Sequence, residues 1–190
     1  MRHALLAGLI LFAAPAAALA DDQTPVPSAA EVRADRLDSL FARLHVSTDP
    51  QSAQKIESDI WAIWSSSDSP TAEVLLRQAS RAMGDGAPEQ ALDILNTLIG
   101  AYPDFAEAWN RRATLYFEMK RDDLALKDIS KVLELEPRHF GALAGRGLIY
   151  QREKNYSAAL DAFNEALDIN PGMDAIKDAV KAIMKQERAI

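Results

Sequence analysis

The chain has 190 residues, a formal net charge of −7 at pH 7 and no cysteine. The acidic charge disfavours binding to nucleic-acid phosphates, and the lack of cysteine excludes disulfides, thiolate metal sites and a cysteine nucleophile. Alanine and leucine are common while glycine and proline are scarce inside the long segments, which favours helices.

Residues 1–20 have the layout of a secretory signal peptide. A basic start precedes an apolar run that ends at Ala14, and a small-x-small sequence ends at Ala20. We therefore expect cleavage after Ala20, a periplasmic or secreted location, and no membrane span in the mature chain. An uncleaved membrane anchor is the alternative, although the apolar run is short for a span and Pro15 interrupts it.

A polar linker and a helical hairpin are predicted next. Residues 21–30 contain two prolines and no apolar period, which predicts a disordered linker. The segment 31–69 predicts an N-terminal hairpin of two amphipathic helices, 31–45 and 51–64. Their apolar stripes are Leu37, Leu40, Phe41 and Leu44 in the first helix, and Ile56, Ile60, Ile63 and Trp64 in the second.

Trp61 and Trp64 stand out in a chain with few aromatic residues. One interpretation is a second contact surface for a partner, because tryptophan is enriched at binding hot spots. The other is packing of the hairpin against the first of the repeats described next.

An internal repeat follows the hairpin. Pro103, Pro137 and Pro171 are spaced 34 residues apart and divide the chain into the blocks 72–105, 106–139 and 140–173. Each block contains two amphipathic stretches joined by a polar turn, and its closing proline cannot continue a helix. Small residues recur where two paired helices would cross: Ala79, Ala113 and Gly147 at the eighth place, and Ala91, Ala125 and Ala159 at the twentieth.

These blocks resemble the tetratricopeptide repeat (TPR). The second block carries the resemblance with Trp109, Ala113, Tyr116, Ala125 and Pro137, and the third with Leu143, Gly147, Tyr150, Ala159, Phe163, Ala166 and Pro171. The first block is weaker, because Leu75 and Ala82 replace the usual Trp and Tyr. The resemblance implies an all-α fold: an α-solenoid of three TPR helix pairs within a domain spanning 70–190.

Residues 174–188 predict a capping helix that closes the solenoid. Ile176, Val180, Ile183 and Met184 form one apolar stripe, while lysines occupy the other side. A terminal repeat unit needs such a polar outer face. A basic helix lying on a membrane surface is the alternative, although acidic residues dilute its charge.

We find no catalytic constellation in the sequence. His45 and His139 are far apart, no cysteine accompanies them, and the acidic residues are scattered over helix exteriors. We therefore predict no enzyme activity, no metal and no cofactor, and a structural or surface role for each histidine.

The resemblance also implies a concave groove lined by the first helix of each block. The groove places are Glu73, Leu76, Arg77, Ser80, Met83 and Gly84 in the first block, Glu107, Asn110, Arg111, Thr114, Phe117 and Glu118 in the second, and Gly141, Ala144, Gly145, Leu148, Gln151 and Arg152 in the third. The lysine, asparagine and arginine clamp of chaperone-binding members is absent, since Leu76, Ser80, Gly141 and Gly145 stand at its places.

The peptide-binding residues expected in this groove are Arg77, Asn110, Arg111, Thr114, Phe117, Leu148 and Arg152. The arginines would pair with carboxylates, and the apolar side chains would contact an apolar element of the ligand. Alternatively, the arginines pair inside the protein with Glu73, Glu107 and Glu118, since exposed ion pairs exchange easily. Both interpretations stay open.

The sequence therefore predicts a non-catalytic scaffold or adaptor that binds a peptide or helix of another protein, in bacterial envelope assembly. Two alternatives remain: a structural protein that self-associates as a homo-oligomer, and a non-catalytic subunit of an envelope enzyme complex.

Overall fold

The computed structural model describes residues 27–187, and within them every regular element is an α-helix. The predicted signal peptide, residues 21–26 of the predicted linker, and residues 188–190 lie outside the described range. The helices are α1 (Ala29–Val46), α2 (Pro50–Trp64), α3 (Pro70–Gly84), α4 (Pro88–Ala101), α5 (Ala106–Glu118), α6 (Asp122–Leu135), α7 (Phe140–Arg152), α8 (Tyr156–Ile169) and α9 (Asp174–Glu187). None of them is long and apolar enough to cross a membrane.

Helix α1 begins two residues before its predicted start, so the predicted linker extends too far. Ser28 is the N-cap: its hydroxyl accepts a hydrogen bond from the Glu31 backbone N–H at 3.2 Å. The Glu31 carboxylate in turn accepts the Ser28 backbone N–H at 2.7 Å. This reciprocal capping box satisfies backbone donors that a helix start leaves free. Ala29 and Ala30 are therefore helical.

The three repeat blocks fold as the helix pairs α3–α4, α5–α6 and α7–α8, which confirms the predicted α-solenoid. Each pair turns through one residue in the left-handed region: Gly86 at φ 71°, Lys120 at φ 58° and Lys154 at φ 62°. The alanines at the twentieth place are fully buried where the paired helices cross. A larger side chain at these places would separate the helices.

Helix α9 occupies the position of the first helix of a fourth pair, because it starts three residues after Pro171, as α5 and α7 do after their prolines. Ile176 and Ile183 are buried in the cluster that contains Phe163. Lys177 and Lys181 lie on exposed parts of the surface. The predicted capping helix is therefore present, and its polar side faces solvent where another helix would otherwise stack.

The N-terminal hairpin α1–α2 packs along the turns between the repeats. The interpretation that its tryptophans pack against the first repeat was therefore wrong. Its buried residues form one cluster with Phe140, at the start of α7. Asp38 of α1 pairs with Arg138 in the turn between the second and third repeats. The Asn170 amide in the next turn donates a hydrogen bond to Glu57 of α2 at 3.1 Å.

Acidification should loosen this hairpin before it affects the solenoid. Hydrogen bonds from Ser28 lower the pKa of Glu31, hydrogen bonds from Ser52 lower that of Asp49, and the contact with Arg33 lowers that of Asp68. A carboxyl group with a lowered pKa stabilises the folded state above its unfolded pKa of about 4, and that contribution is lost as the pH falls through the folded pKa.

Hydrogen exchange between pH 7 and pH 3, corrected for the intrinsic pH dependence of exchange, measures this effect. We expect protection of α1 and α2 amides to fall relative to that of α5–α8 amides below about pH 4. An equal loss of protection in both groups would contradict the expectation.

Candidate functional site

Helices α3, α5 and α7 lie side by side and form the candidate binding face, hereafter the concave face. Four of its places in the first halves of the helices are closed: Glu107 is fully buried, Asn110 is 8% exposed, and Leu76 and Ala144 are part of the core. Arg77, at the middle of α3, stays exposed. The places near the helix ends remain accessible to solvent: Ser80, Met83, Gly84, Thr114, Phe117, Glu118, Leu148, Gln151 and Arg152. The face therefore has a covered half and an open half.

The covered half centres on the buried carboxylate of Glu107. Asn110 donates a hydrogen bond to its Oε2 at 3.0 Å, and His139 Nε2 lies 3.3 Å from the same oxygen. The Arg111 Nε lies 2.8 Å from Oε1. This N–H does not point at the oxygen, so the contact is an ion pair without a directed hydrogen bond.

His139 joins three elements at this point, which fits the predicted structural role. Its Nδ1 accepts the Ala142 backbone N–H at 3.1 Å and caps α7, so Nδ1 carries no proton and Nε2–H faces Glu107. Its ring stacks on Trp64 with centroids 4.1 Å apart and 13° between the planes. The histidine thus connects the second repeat, the third repeat and the hairpin.

The two tryptophans of the hairpin close the covered half. Trp64 is only 7% exposed, so it is not available as a contact for a partner while the hairpin is docked. Trp61 lies over Gly141, where a methyl carbon added to the glycine would come within 2.6 Å of the indole Cη2. Sequence reasoning missed this role of Gly141. The signal was a glycine at a groove place where the family resemblance implies a basic residue.

In the open half, Arg152 is fixed in place by its own protein. Its guanidinium lies 3.8 Å from the centre of the Phe117 ring and donates to the Phe117 carbonyl at 3.1 Å. Its Nε and Nη2 also donate hydrogen bonds to the Asp122 carboxylate, with Nε 2.8 Å from Oδ2. The alternative of internal pairing therefore holds for Arg152, but its partner is Asp122 and not Glu118.

Arg77 is the predicted groove arginine with the loosest internal contact. Its side chain is 67% exposed and lies 3.8 Å from Glu73, beyond hydrogen-bond distance. Arg111, by contrast, is held at Glu107 as the alternative expected. Arg77 lies three residues before Ser80, the first open place of α3, and so borders the open half. Leu148 is 36% exposed on α7 and supplies apolar surface to that half. These residues can meet a ligand that has one acidic and one apolar element.

No group of three or more His, Asp or Glu side chains that could hold a metal ion occurs within residues 27–187. The acidic residues of the concave face lie at separate places: Glu73 beside Arg77, Glu107 beside Arg111, and Glu118 at the end of α5. The arrangement on this face therefore offers ion pairs and apolar contacts to a ligand.

Comparison with known proteins agrees with this architecture. The tetratricopeptide-repeat family profile matches residues 106–139 and 141–173, which are the second and third blocks. A TPR repeat-containing protein of Rhizobium etli is 38% identical over 151 residues, covering 80% of this chain and 74% of that protein. The protein SGT1 homolog of Homo sapiens is 32% identical over 111 residues, and the matched part is 57% of this chain but only 30% of that protein.

Solved structures share the fold at low sequence identity. The first TPR of Spaghetti (RPAP3), bound to the HSP90 peptide SRMEEVD, aligns with a TM-score of 0.60 and 21% identity, covering 64% of this chain and 96% of that one. The crystal structure of MamA aligns with a TM-score of 0.58 and 19% identity, covering 73% of this chain and 79% of that one. With the helix pairs, the matched repeats and the Rhizobium relative in agreement, this chain belongs to the tetratricopeptide-repeat family.

Proposed function

We propose that this protein is a non-catalytic scaffold that binds a peptide or helix of another protein on the open half of its concave face. The observation that carries the proposal is the placement of Leu148 and Phe117 near the ends of neighbouring helices, on a face that also bears the exposed Arg77. Apolar contact area supplies affinity, and an exposed guanidinium selects a carboxylate.

A solved TPR structure of similar fold is bound to an HSP90 peptide, which supports a peptide as the class of ligand. The chemistry of contact differs here, because the places of the two-carboxylate clamp hold Leu76, Ser80, Gly141 and Gly145. We therefore propose a ligand in which one acidic residue lies beside apolar residues, and not a terminal pair of carboxylates.

We further propose that the scaffold works in the bacterial envelope. The signal-like layout of residues 1–20 supports export, and the Rhizobium etli relative supports a bacterial setting. Fractionation of cells that express the full chain, with N-terminal sequencing of the exported product, tests this. Asp21 as the first residue is the expected result, and an uncleaved product in the cytoplasm would contradict it.

Arg77→Glu is expected to weaken partner binding about tenfold, or ~1.4 kcal/mol, because it replaces an attraction to the acidic element with a repulsion. A photo-crosslinking amino acid at position 148, used in cells, captures the partner, and isothermal titration with the identified partner measures the affinity.

Lys127→Glu is the matched control, since it makes the same charge change at an exposed place on α6. Its affinity should stay within about twofold of the unmodified protein. Equal weakening by both variants would show a general charge effect and would reject binding on the open half.

A further inference from the structure

We propose that the first repeat pivots against the second and third repeats, which the hairpin braces, so that the open half binds an acidic element at a variable distance from an apolar one. The inference rests on the proposed function and adds to it the spacing of the two elements in the ligand. Arg77 lies on the first repeat, whereas Phe117 and Leu148 lie on the second and third. A pivot of the first repeat therefore moves the charged contact relative to the apolar contacts.

The hairpin braces two of the three junctions at which one repeat meets the next element. These junctions are the turns around Pro103, Pro137 and Pro171. Phe140 at the second junction belongs to the buried cluster of the hairpin, and Ile169 and Met173 at the third pack against it. Within residues 27–187, that cluster contains nothing from 101–105, the first junction. A cleft of about 630 Å³ lies between that junction and α1 instead.

The hairpin is tied to the first repeat at one end, through the connection 65–69 that leads into α3. Arg33 of α1 pairs with Asp68 in this connection, where the Asp68 side chain is 64% exposed. The Ser67 backbone N–H donates a hydrogen bond to Glu73 of α3 at 3.0 Å. These contacts fix the start of α3 and leave the rest of the first repeat free to rotate about it.

A hydrogen bond across the second junction has no counterpart at the first. Arg152, at the thirteenth place of its block, donates to the Phe117 carbonyl of the preceding repeat at 3.1 Å. Glu118 stands at the same place in the second block, and the corresponding carbonyl is that of Met83. A carboxylate accepts hydrogen bonds and cannot donate one to a carbonyl. The open half is therefore joined between α5 and α7 by a bond that α3 and α5 cannot make.

The residue that precedes each first helix shows the same difference. His139 caps α7 through the Ala142 backbone N–H, and its Nε2 lies 3.3 Å from Glu107 of α5. It thereby joins the third repeat to the second. Phe105 holds the equivalent place before α5 and makes no side-chain cap.

Two hydrogen bonds at the first junction can serve as the pivot. Arg112 of α5 donates to Asn96 of α4 at 2.8 Å, and Trp109 Nε1 donates to the Pro103 carbonyl at 2.8 Å. Arg112 also donates to Asp128 of α6, so its guanidinium lies toward the second helices and away from the concave face. Rotation about these bonds changes the gap between α3 and α5 at the open half.

Distances between nitroxide spin labels test the pivot, because the chain has no cysteine that would compete for the label. One label is placed at Ser39 on α1 and the other at Asp93, Lys127 or Asp161, each changed to cysteine. These three exposed residues occupy the twenty-second place of their blocks. We expect the distance distribution from Ser39 to Asp93 to be about twice as wide as the other two. Equal widths for the three pairs would overturn the pivot.

A tether across the cleft tests what the pivot does for binding. Ala34→Cys with Asp104→Cys, joined by a short bis-maleimide, fixes the first junction to α1, since both residues line the cleft. The control is Asp38→Cys with Arg138→Cys, joined in the same way, which ties the hairpin at a contact that already holds it.

The probe is a phage-displayed library of random dodecapeptides, selected separately against the full chain and each tethered form. Binders that lose affinity for Arg77→Glu are sequenced, and the spacing between their acidic and apolar residues is compared. We expect several spacings with the unmodified protein and with the control tether, and one spacing with the tether across the cleft.

The failures of this inference and of the proposed function are distinguishable. A single spacing in peptides selected on the unmodified protein, or the same range of spacings on all three forms, would overturn the variable recognition while leaving the scaffold function in place. A library that yields no binder to any form would overturn the scaffold function and the spacing inference together.

Discussion

Replacing Gly147 with alanine is expected to lower the free energy of unfolding by about 2–3 kcal/mol, the upper part of the range for overpacked cores. The added methyl carbon would lie 2.4 Å from two carbon atoms of the Phe163 ring. Phe163 is fully buried where α7 crosses α8, so the ring has no free space into which to move. Urea denaturation followed by circular dichroism measures the loss.

A double-mutant cycle shows whether the clash with Phe163 is the cause. Phe163→Ala alone should cost about 3–5 kcal/mol because it leaves a cavity. In that background, Gly147→Ala should be neutral or stabilise by up to ~1 kcal/mol, since the ring is gone and alanine is the better helix former. The same 2–3 kcal/mol loss in both backgrounds would contradict the assignment.

The solenoid could be predicted because its determinants are local and periodic. Pro103, Pro137 and Pro171 set the phase, and the small residues of each block allow its own two helices to approach closely. Each pair then packs mainly on its neighbours in sequence. The position of an element in such an array follows from the sequence once the repeat length is known.

The docking of the hairpin could not be predicted in the same way. The residues predicted as the apolar stripes of α1 and α2 are buried. Such a stripe shows which face of a helix is buried, but it does not show which other part of the protein packs against that face. The contacts that position the hairpin join residues about one hundred positions apart: Asp38 with Arg138, and Glu57 with Asn170. No repeat period relates these residues.

The candidate site was predictable to the extent that its contacts lie within one helix. The pairing of Arg111 with Glu107 spans four residues and was anticipated as an alternative, whereas that of Arg152 with Asp122 crosses between α7 and α6. Burial of Asn110 depends on tertiary packing, so its groove place alone did not indicate whether a ligand could reach it. The peptide-binding roles of the open residues stay predictions, as does export.

Glu107→Ala is expected to lower the free energy of unfolding by about 3 kcal/mol, the low end of the range for breaking a buried charged pair. The low end of the range applies because the Arg111 side chain is about one-third exposed and can turn toward water once Glu107 is gone. His139 is fully buried and cannot turn in this way. The substitution removes the acceptor for the His139 Nε2–H and for the Asn110 amide. Two buried donors are then left without partners.

The loss of stability should extend to the hairpin. Glu107 holds the His139 ring in place, and Trp64 stacks on that ring. In a Trp109→Phe background, fluorescence reports on Trp61 and Trp64, the remaining tryptophans of the chain. Glu107→Ala should make this fluorescence easier to quench with acrylamide even under conditions where circular dichroism shows the solenoid folded.

The control is Glu118→Ala, which removes an exposed carboxylate on the same helix. It should change the free energy of unfolding by less than about 0.5 kcal/mol and leave quenching unchanged. If Glu107→Ala lowered stability but left quenching at its original value, the buried carboxylate would act on the repeats alone, and the histidine would not connect them to the hairpin.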